Sequence, residues 1–374
     1  MRVLHVVTRL TGGGAERFVA SLTPQLARNV SRCGVLTVNP TAIPEAVASA
    51  PGLDVLEIRR RGRFDAPFLA RMISQMRAWR PDVVHTHMFH GTYWGRLSAI
   101  VAGVPAIVRT EHLPCDPQAR VRGTAVADLA LNTLTASVVT FFMEQGRFLA
   151  AYERFNERKL AIIPNGIAHE PVPTLAEIAN ARSRLDVSAD TFAIFVLGNL
   201  FPHKNQALAL ETFAALDEAT RTRARLFFLG DGIDRPHLES LARARGIAEA
   251  VTFLGFRSDA TELLPGADLL LMPSRSEGMP LALLEAMSAG VPVVSTPWFG
   301  AKEMLRNGEL GTIAKDFEPA TLAGCVQSMM DDPDRARRVA KRTQAVVRAD
   351  YDIAGTASRH CGLYESLLSQ RSVA

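Results

Sequence analysis

Short apolar runs recur along the chain at 3–7, 35–38, 55–58, 83–87, 106–109 and 138–142. Amphipathic stretches separate them, among them 15–28, 66–79 and 120–134. Near-continuous apolar strands that alternate with helices predict a parallel sheet covered on both faces. The same rhythm restarts at 192–197 and continues through 225–229, 251–254, 269–272 and 292–295. Between the two series lies Pro164-Asn165-Gly166, followed by Pro171 and Pro173, a turn-rich stretch suited to a linker. The pattern therefore predicts an α/β protein of two doubly wound, Rossmann-like domains, residues 1–168 and 175–350, with no short-period repeat. Open α/β sheets bind ligands beyond the carboxyl ends of their strands, so the chemistry belongs in the loops that follow strands. Two such domains facing each other would enclose an interdomain cleft.

Composition sharpens this picture. The 374 residues are 48% hydrophobic and 21% charged, which suits packed cores rather than disorder. The formal net charge is only +4, so bulk charge gives no reason to expect nucleic acid as a partner. It is uneven, however: residues 1–170 carry +7 and the remainder −3. A basic first half suits a phosphorylated or lipid-linked partner and peripheral contact with an anionic membrane. Cys33, Cys115, Cys325 and Cys361 lie far apart with no C-x-x-C pair, as in a reducing compartment. The apolar start is soon broken by Thr8 and Arg9, and no run of about 18 apolar residues occurs. The expectation is a cytoplasmic protein, at most peripheral at the inner face of the membrane.

Four stretches carry candidate chemistry. Thr11-Gly12-Gly13-Gly14-Ala15-Glu16-Arg17 follows the first strand and opens the first helix. It reads either as a tight turn or as a loop whose amides approach a phosphate or sugar, with the helix N-terminus adding positive potential. It departs from the dinucleotide fingerprint, because Arg17 stands at the third glycine position. Gly198-Asn199-Leu200-Phe201-Pro202-His203-Lys204-Asn205 follows the first strand of the second domain. There Gly198 permits a turn, and Lys204 is either a surface lysine or a point charge for a phosphate. The run Pro273-Ser274-Arg275-Ser276-Glu277-Gly278-Met279-Pro280-Leu281-Ala282-Leu283-Leu284-Glu285-Ala286 is the most informative. A strand ends, a polar loop holds Glu277, and a helix opens near Pro280 with its amides directed at the loop. Glu285 falls a turn or so into that helix, so two carboxylates can accept from the vicinal hydroxyls of one ligand. Helix-terminal charge complementarity alone would explain Glu277, but less easily Glu285 among Leu283, Leu284, Ala286 and Met287.

The fourth stretch is histidine-rich: His85-Thr86-His87-Met88-Phe89-His90, with Arg109-Thr110-Glu111-His112 after the next strand. Its spacing allows zinc ligation, but no carboxylate accompanies it, and substrate hydrogen bonding or strand-end packing fits better. Asp332-Pro333-Asp334 lies between two helical stretches and suits capping more than metal binding. Arg59-Arg60-Arg61-Gly62-Arg63 precedes Phe64, Phe68, Leu69, Met72, Ile73, Met76 and Trp79. That segment is either a membrane-surface element or a helix packed on the sheet beside a solvated basic loop.

In order and spacing these residues resemble retaining glycosyltransferases of family 4, which have the two-domain GT-B fold. The resemblance spans nearly the whole chain. It rests on Gly12-Gly13-Gly14-Ala15-Glu16, Thr110-Glu111-His112, Ile163-Pro164-Asn165-Gly166-Ile167, Gly198 through Lys204, Leu229-Gly230-Asp231-Gly232, Phe253-Leu254-Gly255-Phe256 and the acid-x7-acid run from Glu277 to Glu285. It implies a second domain that binds a nucleoside-diphosphate sugar, with Glu285 on the ribose and Lys204 on the diphosphate. Glu277 and the backbone of Gly278, Met279 and Pro280 would hold the donor sugar, and the amides of Leu281 and Ala282 a phosphate. Phe256 and Arg257 would lie near the base. Gly12, Gly13 and Gly14 would close over the diphosphate, and His112 would touch the sugar near the reacting carbon. The final helix, within 353–374, would pack back on the first domain.

The implied reaction moves a sugar to an acceptor hydroxyl with retention of configuration. It needs neither metal nor cofactor beyond the donor, and its setting would be polysaccharide, glycolipid or glycoconjugate biosynthesis. One position departs from the family pattern: Asn199 stands where an arginine is usual, and a neutral amide cannot replace a bidentate guanidinium on phosphate. Either Arg257, Arg275 or another cation compensates, or donor binding is weaker. The alternatives are a catalytically silent sugar-nucleotide-binding subunit and a sugar-nucleotide 2-epimerase.

Overall fold

The computed structural model describes residues 1–39, 42–61, 65–114 and 125–372; Gly62, Arg63, Phe64, Cys115 and the 120–124 start of one anticipated helix lie outside these. The chain divides into two compact units, residues 1–168 with 351 onward, and His169–Asp350.

Unit 1 is built on seven parallel strands, β1 (Arg2–Val7), β2 (Arg32–Thr37), β3 (Leu53–Glu57), β4 (Val83–His87), β5 (Ala106–Thr110), β6 (Ser137–Thr140) and β7 (Leu160–Ile162). They run in the order β3-β2-β1-β4-β5-β6-β7. Unit 2 has six parallel strands, β8 (Phe192–Leu197), β9 (Ala224–Leu229), β10 (Val251–Gly255), β11 (Leu269–Met272), β12 (Val293–Ser295) and β13 (Thr312–Ile313). Their order is β10-β9-β8-β11-β12-β13. Each sheet is thus doubly wound, with its order reversing between β1 and β4 or between β8 and β11. Those two gaps are the topological switch points, where such sheets take their ligands.

The central strands are apolar on both faces because helices cover both. Val3, Leu4, Val6 and Val7 of β1 are all fully buried. In unit 2, Phe195 of β8 and Leu226 and Phe228 of β9 are equally inaccessible. Helix Ala66–Trp79 shows how sequence sets an element. Asp65 caps it by accepting from the Phe68 amide, and the left-handed Arg80 (φ 54°) ends it. Phe68, Met72, Met76 and Trp79 lie on one face and are all buried in the core of unit 1. These four side chains are thus packed in the core of unit 1, as a helix laid on the sheet requires, while Leu69 and Ile73 stay half-buried.

The stretch read as a linker is more ordered than its turn residues suggest. Asn165 is buried, and the Ile167 amide donates to the Tyr351 carbonyl while Ile353 donates back to Ile167. The chain thus leaves unit 1 and re-enters it side by side. The last helix, Ile353–Ser372, packs on helix Gly14–Ala27 and belongs to unit 1. Asp332 caps helix Pro333–Asp350 through the Arg335 amide, so the acid-x-acid pair acts as a helix start. No described helix is long and apolar enough to cross a membrane.

Candidate functional site

In unit 2 the loops after β8 and β11 meet at the switch point and are stitched together. The Arg275 amide donates to the His203 carbonyl (3.0 Å), and the Asn205 side chain donates to that of Pro273 (3.1 Å). This brings Lys204 and Glu277, 73 residues apart, into a bidentate ion pair of 2.8 and 2.9 Å. Ser274 also donates to Glu277, at 2.6 Å. Glu277 is only 7% exposed, so a carboxylate here depends on these donors. The loop after β9 joins them: Leu200 donates to Asp231, and Gly198 donates to Leu229. Gly230 has φ +148°, and a Cβ on it would lie 2.1 Å from the Gly198 carbonyl oxygen, so only glycine lets these two loops touch.

Helix Leu281–Ser288 starts directly behind this pair, with Pro280 at its N-cap position and no side chain capping it. Its first amides lack a side-chain cap, which is what an anion site at a helix start requires. Met279, Pro280 and Leu281 are buried, whereas Gly278, Ala282 and Glu285 are half-buried. Glu285 therefore reaches the surface of the helix rather than its core, contrary to the apolar setting that its neighbours suggested. Phe256, after β10, is 78% exposed. Arg257 forms a bidentate pair with Asp259, which Arg184 also contacts, so the Arg257 guanidinium is already engaged. Arg275 is exposed and makes no ion pair among the described residues. Of the two arginines expected to offset Asn199, it is the available one. Asn199 anchors the loop through its carbonyl, which accepts from Gln206.

In unit 1 the glycine loop opens helix Gly14–Ala27, with Gly13 as N-cap and no side-chain cap. The three glycines differ. Gly12 has φ +116°, a Cβ on Gly13 would lie 2.6 Å from a Glu16 oxygen, and Gly14 faces open space. Glu16 is held by Arg9 at 3.2 Å.

The histidines cluster at the switch point of unit 1, between β1 and β4. Register pairs His5 of β1 with His85 of β4, and the two-residue repeat puts His87 on the same face as His85. His5 Nδ1 lies 2.9 Å from His87 Nε2, and His87 Nδ1 lies 3.1 Å from His112 Nε2. Tyr364 and Thr110 flank His85 at 2.6 and 2.7 Å, and the His360 ring lies 5.3 Å from that of His85. Burial pushes His5 and His360 down to about 3 and His112 to about 4, the last against the opposing pull of Glu111. Burial, reinforced by neighbouring histidines, holds His85 and His87 well below the usual range. These rings are therefore neutral at pH 7.

His90, in the first turn of helix Phe89–Ala102, is not part of the cluster, so the H-x-H-x-x-H reading is replaced by one that includes His5. Ring nitrogens of His5, His85 and His87 lie within 4.8 Å of one another, close enough to converge on an ion. The short His5–His87 and His87–His112 contacts instead arrange them as a hydrogen-bonded row. Arg109 does structural work: it is buried and pairs with Glu153 at 2.8 Å, beside Arg96 and Asp128. Sequence reasoning missed His5, His360 and Tyr364. The period-2 match of His5 with His85 and His87 was the one signal available for the first. Nothing local pointed to the other two, on the final helix.

Comparison with known proteins gives a consistent result. The family model for Glycosyltransferase Family 4 matches residues 12–170, and that for Glycosyl transferases group 1 matches residues 177–346. The D-inositol 3-phosphate glycosyltransferase of Streptomyces scabiei is 28% identical over 373 residues, covering 90% of this chain and 82% of that protein. The putative glycosyltransferase EpsF of Bacillus subtilis is 28% identical over 303 residues, 78% of each chain. Among solved structures, Anabaena HepE in complex with UDP-glucose superposes with a TM-score of 0.87 at 19% identity, covering 98% of this chain and all of that one.

Proposed function

Because the chain belongs to the family 4, group 1 glycosyltransferases with the GT-B fold, and so transfers a sugar from a nucleotide sugar, we propose that it does so with retention of configuration and without a resident metal. The observation that carries the site assignment is the Lys204–Glu277–Ser274 constellation beside the uncapped start of helix Leu281–Ser288. The donor diphosphate lies over that helix start, on the amides of Leu281 and Ala282, with Lys204 and Arg275 as its cations. Lys204 then turns from Glu277 to the phosphate. Glu277 keeps the Ser274 hydroxyl and accepts donor-sugar hydroxyls in place of the ammonium, so the buried carboxylate stays satisfied. Gly278, Met279 and Pro280 offer backbone groups to the same sugar. Glu285, half-buried one turn into the helix, accepts from the ribose, and exposed Phe256 stacks near the base with Arg257 beside it.

From unit 1, Gly12, Gly13 and Gly14 approach the diphosphate and His112 donates to the donor sugar. The glycosidic C–O bond to phosphate breaks, and the acceptor oxygen bonds to the same face of the anomeric carbon. The acceptor proton passes to the departing phosphate oxygen. The protein contributes orientation of the acceptor and charge stabilisation of the leaving diphosphate. The acceptor is a sugar or a lipid-linked sugar. Relatives of this chain include a UDP-Gal:alpha-D-GlcNAc-diphosphoundecaprenol alpha-1,3-galactosyltransferase from Escherichia coli, and unit 1 carries the chain's basic excess.

A thermal-shift panel of nucleoside diphosphates and nucleotide sugars, with and without magnesium, tests the donor site. Saturation to about 100 Kd raises stability by about 2.7 kcal/mol. A metal-independent shift with one base, lost in Lys204→Ala and Glu277→Gln, is the expected result. The same two variants should lower transfer by about 10²–10³-fold. Wild-type turnover in both would remove the site assignment, and no shift with any nucleotide would favour a silent subunit.

A further inference from the structure

The row His5–His87–His112 ends blindly. His5 is fully buried, and its Nε2 has no hydrogen-bond partner among the described residues. His87, also fully buried, has both nitrogens occupied, one by His5 at 2.9 Å and the other by His112 at 3.1 Å. A neutral imidazole has one N–H and one bare nitrogen, so in each contact one ring donates and the other accepts. Only two polarities of the row satisfy this. In one, His112 Nε2–H donates to His87, His87 Nε2–H donates to His5, and the His5 proton sits on Nε2. That strands an N–H in the core without an acceptor, which native structures rarely tolerate. In the other, His5 Nδ1–H donates to His87, His87 Nδ1–H donates to His112 Nε2, and the stranded atom is a bare nitrogen. The second polarity fixes the outer ring: His112 carries its proton on Nδ1.

We propose that His87, polarised by the dead end at His5, is a positioning residue that holds His112 as a neutral ring with its proton on Nδ1, so that His112 presents a hydrogen-bond donor to the donor sugar. The part concerning the sugar rests on the function proposed above; the tautomer does not. The geometry supports a fixed ring as well as a fixed proton. Phe18 meets the His112 ring edge-on at 6.0 Å and Phe141 lies 5.7 Å away, so the ring is wedged between two aromatic side chains. Among the described residues His112 Nδ1 has no hydrogen-bond partner, as a donor awaiting a ligand requires. Met88, directly after His87, has φ 58° and ψ 166°, a region that is strained for any residue but glycine. That strained turn ends β4 at His87. The groups facing the row are His85, His360 and Tyr364 from neighbouring elements and Glu111 beside His112. None of them donates to His5 Nε2.

The test is long-range ¹⁵N–¹H correlation NMR on the ligand-free protein at pH 7, with the His112 ring assigned by its loss in His112→Gln. The expected pattern is a protonated Nδ1 and a bare Nε2, becoming mixed or reversed in His87→Leu. His87→Gln should restore it, because an amide donates to His112 while its oxygen accepts from His5. A protonated Nε2 on His112 in the wild type overturns the proposal, as does an unchanged tautomer in folded His87→Leu. With a nucleotide-sugar substrate, His87→Leu should lower kcat at least tenfold with KM within about threefold, and His87→Gln should recover most of the loss. If the tautomer behaves as expected and no nucleotide sugar turns over, the function assigned above fails and the relay stands.

Discussion

Acid should unfold unit 1 well before the carboxylates titrate. Its core holds His5, His85, His87 and His360, with the half-buried His112 beside them, all with depressed folded-state pKa values caused mainly by burial. A histidine lowered on folding binds fewer protons in the native state than in the unfolded chain. Its contribution is therefore complete above the unfolded value near 6.5 and is lost as pH falls from there toward the folded value. For His5 and His360 that window runs from 6.5 to about 3, and for His112 from 6.5 to about 4. At pH 5 each of these three withdraws about 2 kcal/mol, or on the order of 6 kcal/mol together, and His85 and His87 act in the same direction. A domain stability of about 5–15 kcal/mol leaves little margin against that.

Urea unfolding at pH 7.5, 6 and 5, followed by tryptophan emission in a Trp298→Phe background, measures the effect. The chain has three tryptophans, and the two that remain, Trp79 and Trp94, lie in unit 1. Asp and Glu are still largely ionised at pH 5, so the interval isolates the histidines. His360→Phe, which removes one such ring, should recover about 2 kcal/mol of the loss at pH 5. A change of less than about 2 kcal/mol between pH 7.5 and 5 in the parent would refute a neutral, buried cluster.

Other substitutions test single features. Gly230→Ala places a methyl 2.1 Å from the Gly198 carbonyl oxygen at a φ of +148° and should destabilise unit 2 by about 3 kcal/mol, measured by urea midpoint. Met88→Gly relieves a backbone strain of about 1–3 kcal/mol and, after the entropy of glycine, should stabilise unit 1 by about 1 kcal/mol; a lower melting temperature would mean that the methionine's packing outweighs it. Arg275→Ala should weaken nucleoside-diphosphate binding about tenfold by calorimetry, whereas Arg257→Ala, whose guanidinium already serves Asp259, should change it less.

The doubly wound architecture was legible because strands buried on both faces announce themselves as apolar runs. The strands that escaped notice, β7 and β13, have three and two residues and lack room for a pattern. The candidate loops were legible for a different reason: in a parallel sheet, polar and glycine residues after a strand have no core role, so their chemistry stands out. What stayed hidden depends on strand order, which the spacing of elements does not carry. Lys204 and Glu277 were assigned to different parts of one donor, the diphosphate and the sugar, and only the adjacency of β8 and β11 shows that they hold each other first. His5 lies within the first apolar run, and only the adjacency of β1 and β4 sets it beside His85 and His87.

Both hidden pairings fall at the gap where a sheet reverses its order, and the coincidence has a physical cause. At a switch point the loops from the two central strands lead to opposite faces, leaving a crevice that no helix fills. Side chains from those strands meet beside that crevice, and in unit 1 the final helix covers them with His360 and Tyr364, so polar groups are buried against one another there. Unit 2 places the charged pair of Lys204 and Glu277 at its switch point. Unit 1 places neutral rings, whose mutual hydrogen bonds leave one nitrogen at the end of the row for a partner. The difference follows from burial. Lys204 and Ser274 supply donors to the buried Glu277 carboxyl, while burial, with no carboxylate inside the row, holds the histidines below their usual range.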